Sequence, residues 1–286
     1  RGPTKPNTTS ALVDMIKPST KTFPEIEEML SQAGWSLAFL PVGCYEQHGP
    51  ELPLDTDIIQ AEELAKRMAV RLEQSEFGRA LVLPPITFTP TDPNRGYAGT
   101  VSVSGDAFRA YFESVLRGIL DSDFYGIVVV NSHGSIDGLL KEVGFKIVFE
   151  QFRERANPIR PVLCINTYDV SAKAAQLFGQ TQGRHADWTE FLMTYGILGP
   201  DYYTPERLER LREFSNSHDF SVKMPGVLGI PAHLRSVEGV QGEPFPAADR
   251  PLGEMADEYW TLLEVESFSR LQAEMSDFEK RFRDNH

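Results

Sequence analysis

The sequence predicts an α/β fold, with a mostly parallel central sheet and helices on both of its faces. Three observations carry this. Short apolar runs alternate with longer stretches whose apolar residues recur at helical spacing. The run Ile127-Val-Val-Val130 is continuously β-branched, as in a strand buried on both faces. The polar, chemistry-bearing residues come directly after the apolar runs, where open α/β sheets place their sites.

The elements follow in order. Residues 1–21 are rich in Pro, Thr, Ser and Lys and read as an N-terminal arm, with residues 22–286 as one domain. Phe23–Gln32 reads as a short helix and Ser36–Pro41 as a buried strand. Ile58–Gln74 is a strong helix, because Ala61, Leu64, Ala65, Met68 and Leu72 share one face. Ala80–Pro84 is a second strand, and Asp106–Leu120 a second helix with Phe108, Tyr111, Phe112, Val115, Leu116 and Ile119 on one side. After the Val-rich strand come a helix over Gly138–Phe152 and a strand over Pro161–Asn166. A tight turn at Tyr97-Ala-Gly99-Thr100 leads into a Val-Ser-Val strand. Residues 215–250 are rich in Gly and Pro and read as a long ordered loop over the site, and Glu254–Arg283 returns to helix.

Composition narrows the function. A net charge of −13 leaves no basic stripe for nucleic acid. No apolar run reaches the roughly 18 residues of a membrane span. The two cysteines, Cys44 and Cys164, lie outside any CxxC pattern and read as buried free thiols. The cytoplasm is the expected compartment.

The chemistry concentrates in three places. Residues Glu46 to Asp57 follow the first strand and bring a Glu, a His and two Asp together around a Gly-Pro and a Leu-Pro-Leu turn. In extended chain Glu46 and His48 point to the same side. With Asp57 they make a donor set suited to Zn²⁺, Mn²⁺ or Fe²⁺. Asp57 or Asp55 could instead simply cap the helix that follows. The second place is Asn131-Ser-His133-Gly-Ser135, where a histidine leaves the end of the Val-rich strand. The third is His185-Ala-Asp187-Trp188-Thr-Glu190. His185 and Glu190 converge there only if the chain passes from loop into helix between them; the plainer reading is a surface helix start capped by Asp187. His218 and His233 are loop histidines without a role, and Trp188 is a packing residue that could also wall a pocket.

These elements, in this order, resemble the creatininase (creatinine amidohydrolase) family over most of the chain. Pro41-Val-Gly-Cys-Tyr-Glu46-Gln-His48-Gly-Pro with Leu52-Pro-Leu-Asp-Thr-Asp57 is similar to the family's first metal motif. Tyr97-Ala-Gly-Thr-Val-Ser, Asn131-Ser-His133-Gly, His185-Ala-x-x-x-Glu190 and Gly239-Val-Gln-Gly-Glu-Pro resemble its later segments. The resemblance implies a three-layer α/β/α sandwich, a homo-oligomer of hexameric type, and one or two divalent ions (Zn, Mn or Fe). It also implies Glu46, His48, Asp57, His133 and Glu190 as ligands, and His185, with Glu190, as the catalytic pair. Trp188, Tyr97 and Ser135 are the candidates for the substrate wall. Two departures fall on that wall: Gly134-Ser135-Ile136 replaces the common Gly-Gly-Asn, and Asp187-Trp188 replaces Gly-Glu. The implied activity is hydrolysis of a cyclic or simple amide C–N bond by a metal-activated water. The alternatives are cleavage of a C–C bond beside a ketone in a cyclic polyol-derived diketone, a peptidase-like maturation enzyme, and a non-catalytic metal-binding partner protein.

Overall fold

The computed structural model describes residues 21–32, 34–156, 158–223, 230–247 and 250–283. The expected N-terminal arm lies outside the described residues except for Lys21, as does part of the expected loop over the site. Among the described residues the sheet has four strands, β1 (Trp35–Val42), β2 (Gly78–Val82), β3 (Gly126–Asn131) and β4 (Val162–Asn166). They lie in the order β2-β1-β3-β4 and every pairing is parallel. Parallel neighbours need crossovers. Helix α1 (Phe23–Leu30) precedes the sheet; α2 (Thr56–Glu73), α3 (Gly105–Asp121) and α4 (Asp137–Arg153) make the three crossovers.

Alternation along the strands divides the core into two layers. Leu37, Phe39, Val128 and Val130 pack on one face with Leu64, Met68 and Leu72 of α2. Ala38, Leu40, Ile127 and Val129 pack on the other with Phe108, Phe112 and Leu116 of α3 and Leu140 and Val143 of α4. This is the α/β/α sandwich the sequence predicts.

The rest of the chain builds over the first face. Helices α5 (Ser171–Phe178) and α7 (Pro205–Ser217) are absent from the sequence reading, and of α6 (Trp188–Tyr202) it gives only the start at Asp187. In α6 a Gly199-Pro200 kink and weak amphipathicity hide the pattern. A short turn of helix, α8 (Ala232–Arg235), lies in the expected loop, and α9 (Leu252–Arg283) closes the layer with Met255, Tyr259, Trp260 and Leu263 buried. Residues 101–103 form no ladder, so the expected Val-Ser-Val strand is extended chain that leads to the Ser104 cap of α3. No helix among the described residues is long and apolar enough to cross a membrane.

The sheet order places the site. From β1 the chain moves outward to β2, then returns to the other side of β1 as β3. The crevice at such a reversal lies outside the carboxyl ends of the two strands. Glu46 and His48 follow β1, and His133 follows β3.

Candidate metal centre

A close approach of backbone brings Asp57 to this crevice. A Cβ on Gly43 would stand 2.6 Å from Ile58 N and 2.7 Å from the Asp57 carbonyl carbon. Only glycine lets the segment leaving β1 lie directly on the first turn of α2. Asp57 is therefore no cap. It sits inside the helix, 1% exposed, with its carboxylate turned into the crevice.

The two oxygens of Asp57 serve two clusters. Oδ2 lies 3.1 Å from His133 Nδ1, which is also 3.0 Å from Glu46 Oε1. Oδ1 lies 3.1 Å from His48 Nε2, which is 3.8 Å from Glu190 Oε2. Glu46 Oε1 and Asp57 Oδ2 are buried without an aligned hydrogen bond, although buried carboxylate oxygens are normally satisfied. The remaining oxygen of Glu46 accepts from Asn94 Nδ2 at 2.6 Å and from the Thr91 hydroxyl, which fixes the carboxylate.

Both histidines are oriented by backbone carbonyls. His133 Nε2 lies 3.0 Å from the Pro90 carbonyl, and His48 Nδ1 lies 3.0 Å from the Glu46 carbonyl. A carbonyl only accepts, so each ring donates there and presents its other nitrogen to the carboxylates. This is the outer arrangement that metal-ligating histidines use. Further groupings with donor atoms within 4.8 Å of one another are Glu46, His48 and His185, and Cys44, Glu46 and His133. The Cys44 thiol is pushed up to about 12, burial being the largest cause.

Among the cluster's own groups, charge is balanced by protons. Burial draws His48 down, but Asp57, Glu190 and Glu46 together outweigh it and hold it at about 10. His133 is likewise raised, burial being outweighed by Glu46 and Asp57, and both of those carboxyls are lowered despite their burial. Glu190 goes the other way, to about 8, because burial dominates. Nitrogen and oxygen donors, orphaned buried oxygens and pre-set tautomers fit a divalent ion of the Zn, Mn or Fe type in either cluster.

His185 stands beside this centre. The chain does pass from loop into helix after it: Asp187 caps α6 by accepting from Thr189 N and Glu190 N. The cap reading of Asp187 thus holds together with convergence of His185 and Glu190 on the crevice. His185 Nε2 lies 2.9 Å from the Gln47 carbonyl, and Nδ1 is 3.9 Å from Glu46 Oε1. Burial, helped by His48, lowers His185 to about 4. It is therefore neutral, with Nδ1 as a bare acceptor.

A cavity of 440 Å³ opens over these residues, lined in part by Glu46, Asp57, His133, His185 and Glu190. Ser135 lines it too, on its exposed side. Trp188 does not, which corrects the expectation that it walls the substrate. It is fully buried between Phe178 and Tyr259, and its Nε1 donates to the Thr181 carbonyl at 2.8 Å. The first turn of α6 points it into the core. Tyr97 is also displaced: it lines a neighbouring depression with His233 instead of the metal cavity.

Several supporting residues escape the sequence reading. Gln60 is fully buried in α2, donates to the Glu190 carbonyl and Thr194, and accepts from Ser132, bracing three elements of the site. A glutamine on the apolar stripe of a helix was the available signal. Gln47 and Asn94 hold each other at 2.9 Å, and nothing in their loops marks them out.

Comparison with known proteins agrees with this fold. Residues 19–260 match the family model Creatininase, described as creatinine amidohydrolase. A mycofactocin precursor peptide peptidase of Mycobacterium ulcerans (strain Agy99) is 40% identical over 79 residues, 26% of this chain and 31% of that protein. A 3-dehydro-scyllo-inosose hydrolase of Thermotoga maritima is 31% identical over 116 residues, 40% of this chain and 35% of that protein. The chain thus spans about a third of the length of these curated relatives. Solved creatininases in Mn and Zn-Zn forms superpose with TM-scores of 0.69 and 0.68 at 18% identity, each covering 93% of this chain and 98% of the other, which shows a shared fold. With the family model spanning most of the sequence and the same sandwich beneath the crevice, the chain belongs to the creatininase family.

Proposed function

We propose that this protein is a divalent-metal-dependent hydrolase acting on an amide C–N bond of a small molecule. One observation carries the reading: Asp57 turns each of its oxygens to a separate histidine, and each histidine is set by a backbone carbonyl to turn its other nitrogen there. Glu46, His133 and Asp57 would hold one ion, and His48, Glu190 and Asp57 a second. An ion bound there supplies Lewis-acid chemistry, activating water and stabilising charge on a carbonyl oxygen.

The chain's own residues do the rest. His185 donates Nε2–H to the Gln47 carbonyl and keeps Nδ1 free to take a proton from the attacking water. It returns that proton to the leaving nitrogen, as general acid–base catalysis requires. Gln47 cannot drift, because its side chain is tied to Asn94 and Gly49 N. The cavity falls within the roughly 300–1,000 Å³ of small-molecule sites. Likeness to the inosose hydrolase favours a second reading, in which the same residues cleave a C–C bond beside a ketone. We extend the proposal to a homo-oligomer, in keeping with the exposed Phe145 and Phe149 stacked on α4.

A panel of simple amides, cyclic amides and cyclic diketones tests this, with and without chelator. The reading expects release of amine or ammonia that stops on chelation and returns with added ion. Turnover indifferent to chelator would refute it, and ring opening of diketones alone would favour the second reading.

A further inference from the structure

Among the described residues only two lysines or arginines line the metal cavity, Arg184 and Arg235. The metal cluster does not need them, since His48 and His133 already face its carboxylates. Neither guanidinium is engaged by any described residue, and Arg235 Nε is buried without a hydrogen-bond partner. An N–H held away from water without an acceptor is unfavourable. Other partly buried arginines have carboxylate partners: Arg160 sits on Asp123 and Arg207 on Glu51, and Arg109, whose Nε also lacks an aligned hydrogen bond, has Glu142 at 3.4 Å.

Arg184 is carried on backbone tied to the proton carrier, and Arg235 on a separate turn of helix. Arg184 N and His185 N donate to the Gln241 carbonyl, and Gln241 N donates back to the His185 carbonyl at 2.9 Å. Arg235 ends α8, and its carbonyl accepts from Lys223 N at 2.8 Å. A guanidinium offers a planar fork that matches a carboxylate.

We propose that Arg235, assisted by Arg184, binds a carboxylate on the substrate, so that the scissile amide belongs to a small acid of which N-acetylglycine is the simplest probe. The reaction rests on the hydrolase reading given above, whereas the binding can be tested without it. Hydrolysis of such an amide adds the oxygen of water to the acyl carbon and breaks the C–N bond. The proton goes to nitrogen, leaving an acid and an amino acid, and no further reactant is needed.

The test compares N-acetylglycine with its neutral primary amide. Calorimetry on chelator-treated protein removes any contribution of the ion to carboxylate binding. The proposal expects N-acetylglycine to bind at least roughly tenfold more tightly, as one charge-assisted hydrogen bond provides. Arg235→Gln should erase that preference and Arg235→Lys restore part of it. Arg184→Gln should reduce it by less. Equal binding of acid and amide by the unaltered protein would overturn the proposal whatever the variants do. A carboxylate preference in binding, with no amide hydrolysed by the metal-loaded protein, would keep this site and remove the hydrolase reading. Hydrolysis of neutral amides with no carboxylate preference would do the reverse.

Discussion

Replacing Trp188 separates a core residue from a wall of the substrate pocket. The ring is wholly buried, packs edge-on to Phe178 at 5.7 Å and to Tyr259 at 6.2 Å, and donates one hydrogen bond to Thr181. Trp188→Ala removes all of this from a close-packed layer and should cost about 3–5 kcal/mol. For a chain of this size each kcal/mol moves the midpoint by roughly 2–4 °C, so the loss should be on the order of 10 °C. Trp188→Phe keeps most of the volume and loses the hydrogen bond, about 1 kcal/mol. The assay is thermal unfolding at fixed metal concentration, together with KM for whatever amide the panel identifies. Trp188→Phe should lower the midpoint by a few degrees, roughly in proportion to that hydrogen bond, and leave KM alone. A raised KM with no loss of stability would refute the placement of this ring in the core.

Two further outcomes follow from single contacts. Gly43→Ala drives a Cβ into the backbone of Asp57 and Ile58; it should destabilise by about 1–3 kcal/mol and weaken metal binding, whereas Gly138→Ala, with open space, should do neither. Urea unfolding and chelator competition measure both, and normal metal binding by Gly43→Ala would contradict the close approach. His185→Gln should retain metal and lose turnover; loss of metal instead would make His185 a ligand. It should also flatten the acid limb of stability. With His185 at about 4 when folded and 6.5 as its ordinary value, the unfolded chain takes up a proton that the folded chain refuses. Stability is therefore lost as pH falls from 6.5 toward 4, by about 3 kcal/mol at most. An acid limb unchanged in the variant would count against the neutral, buried ring.

What could be read from the sequence follows from locality. The strands and the crossover helices announce themselves because Ile127–Val130 and the stripe of Ala61, Leu64 and Met68 carry their burial in their own spacing. The residues that meet in the crevice are legible for the same reason: Glu46, His48 and His133 sit where strands end. Helix α6 is legible only at its Asp187 cap; its length is hidden by the kink at Gly199 and a pattern that is apolar nearly all round. Trp188 reads as a packing residue and is one; its secondary role as a pocket wall fails because the first turn after the Asp187 cap points the ring into the core. Tyr97 resembles a family segment in sequence, yet its side chain falls beside the cavity; a match in spacing does not decide which way a turn faces. Thr91, Asn94 and Gln47 act through contacts across 45 or more positions with residues such as Glu46 and His185, which local pattern cannot carry.

The central proposal is that Asp57 would help to hold two metal ions, one in each cluster. Metal content per chain, measured on stripped protein reloaded with Mn²⁺ and desalted, tests it most directly. The account predicts about two ions per chain, the count of a bridged pair, and loss from both centres in Asp57→Ala. No uptake by the unaltered protein, or full uptake by Asp57→Ala, would contradict it.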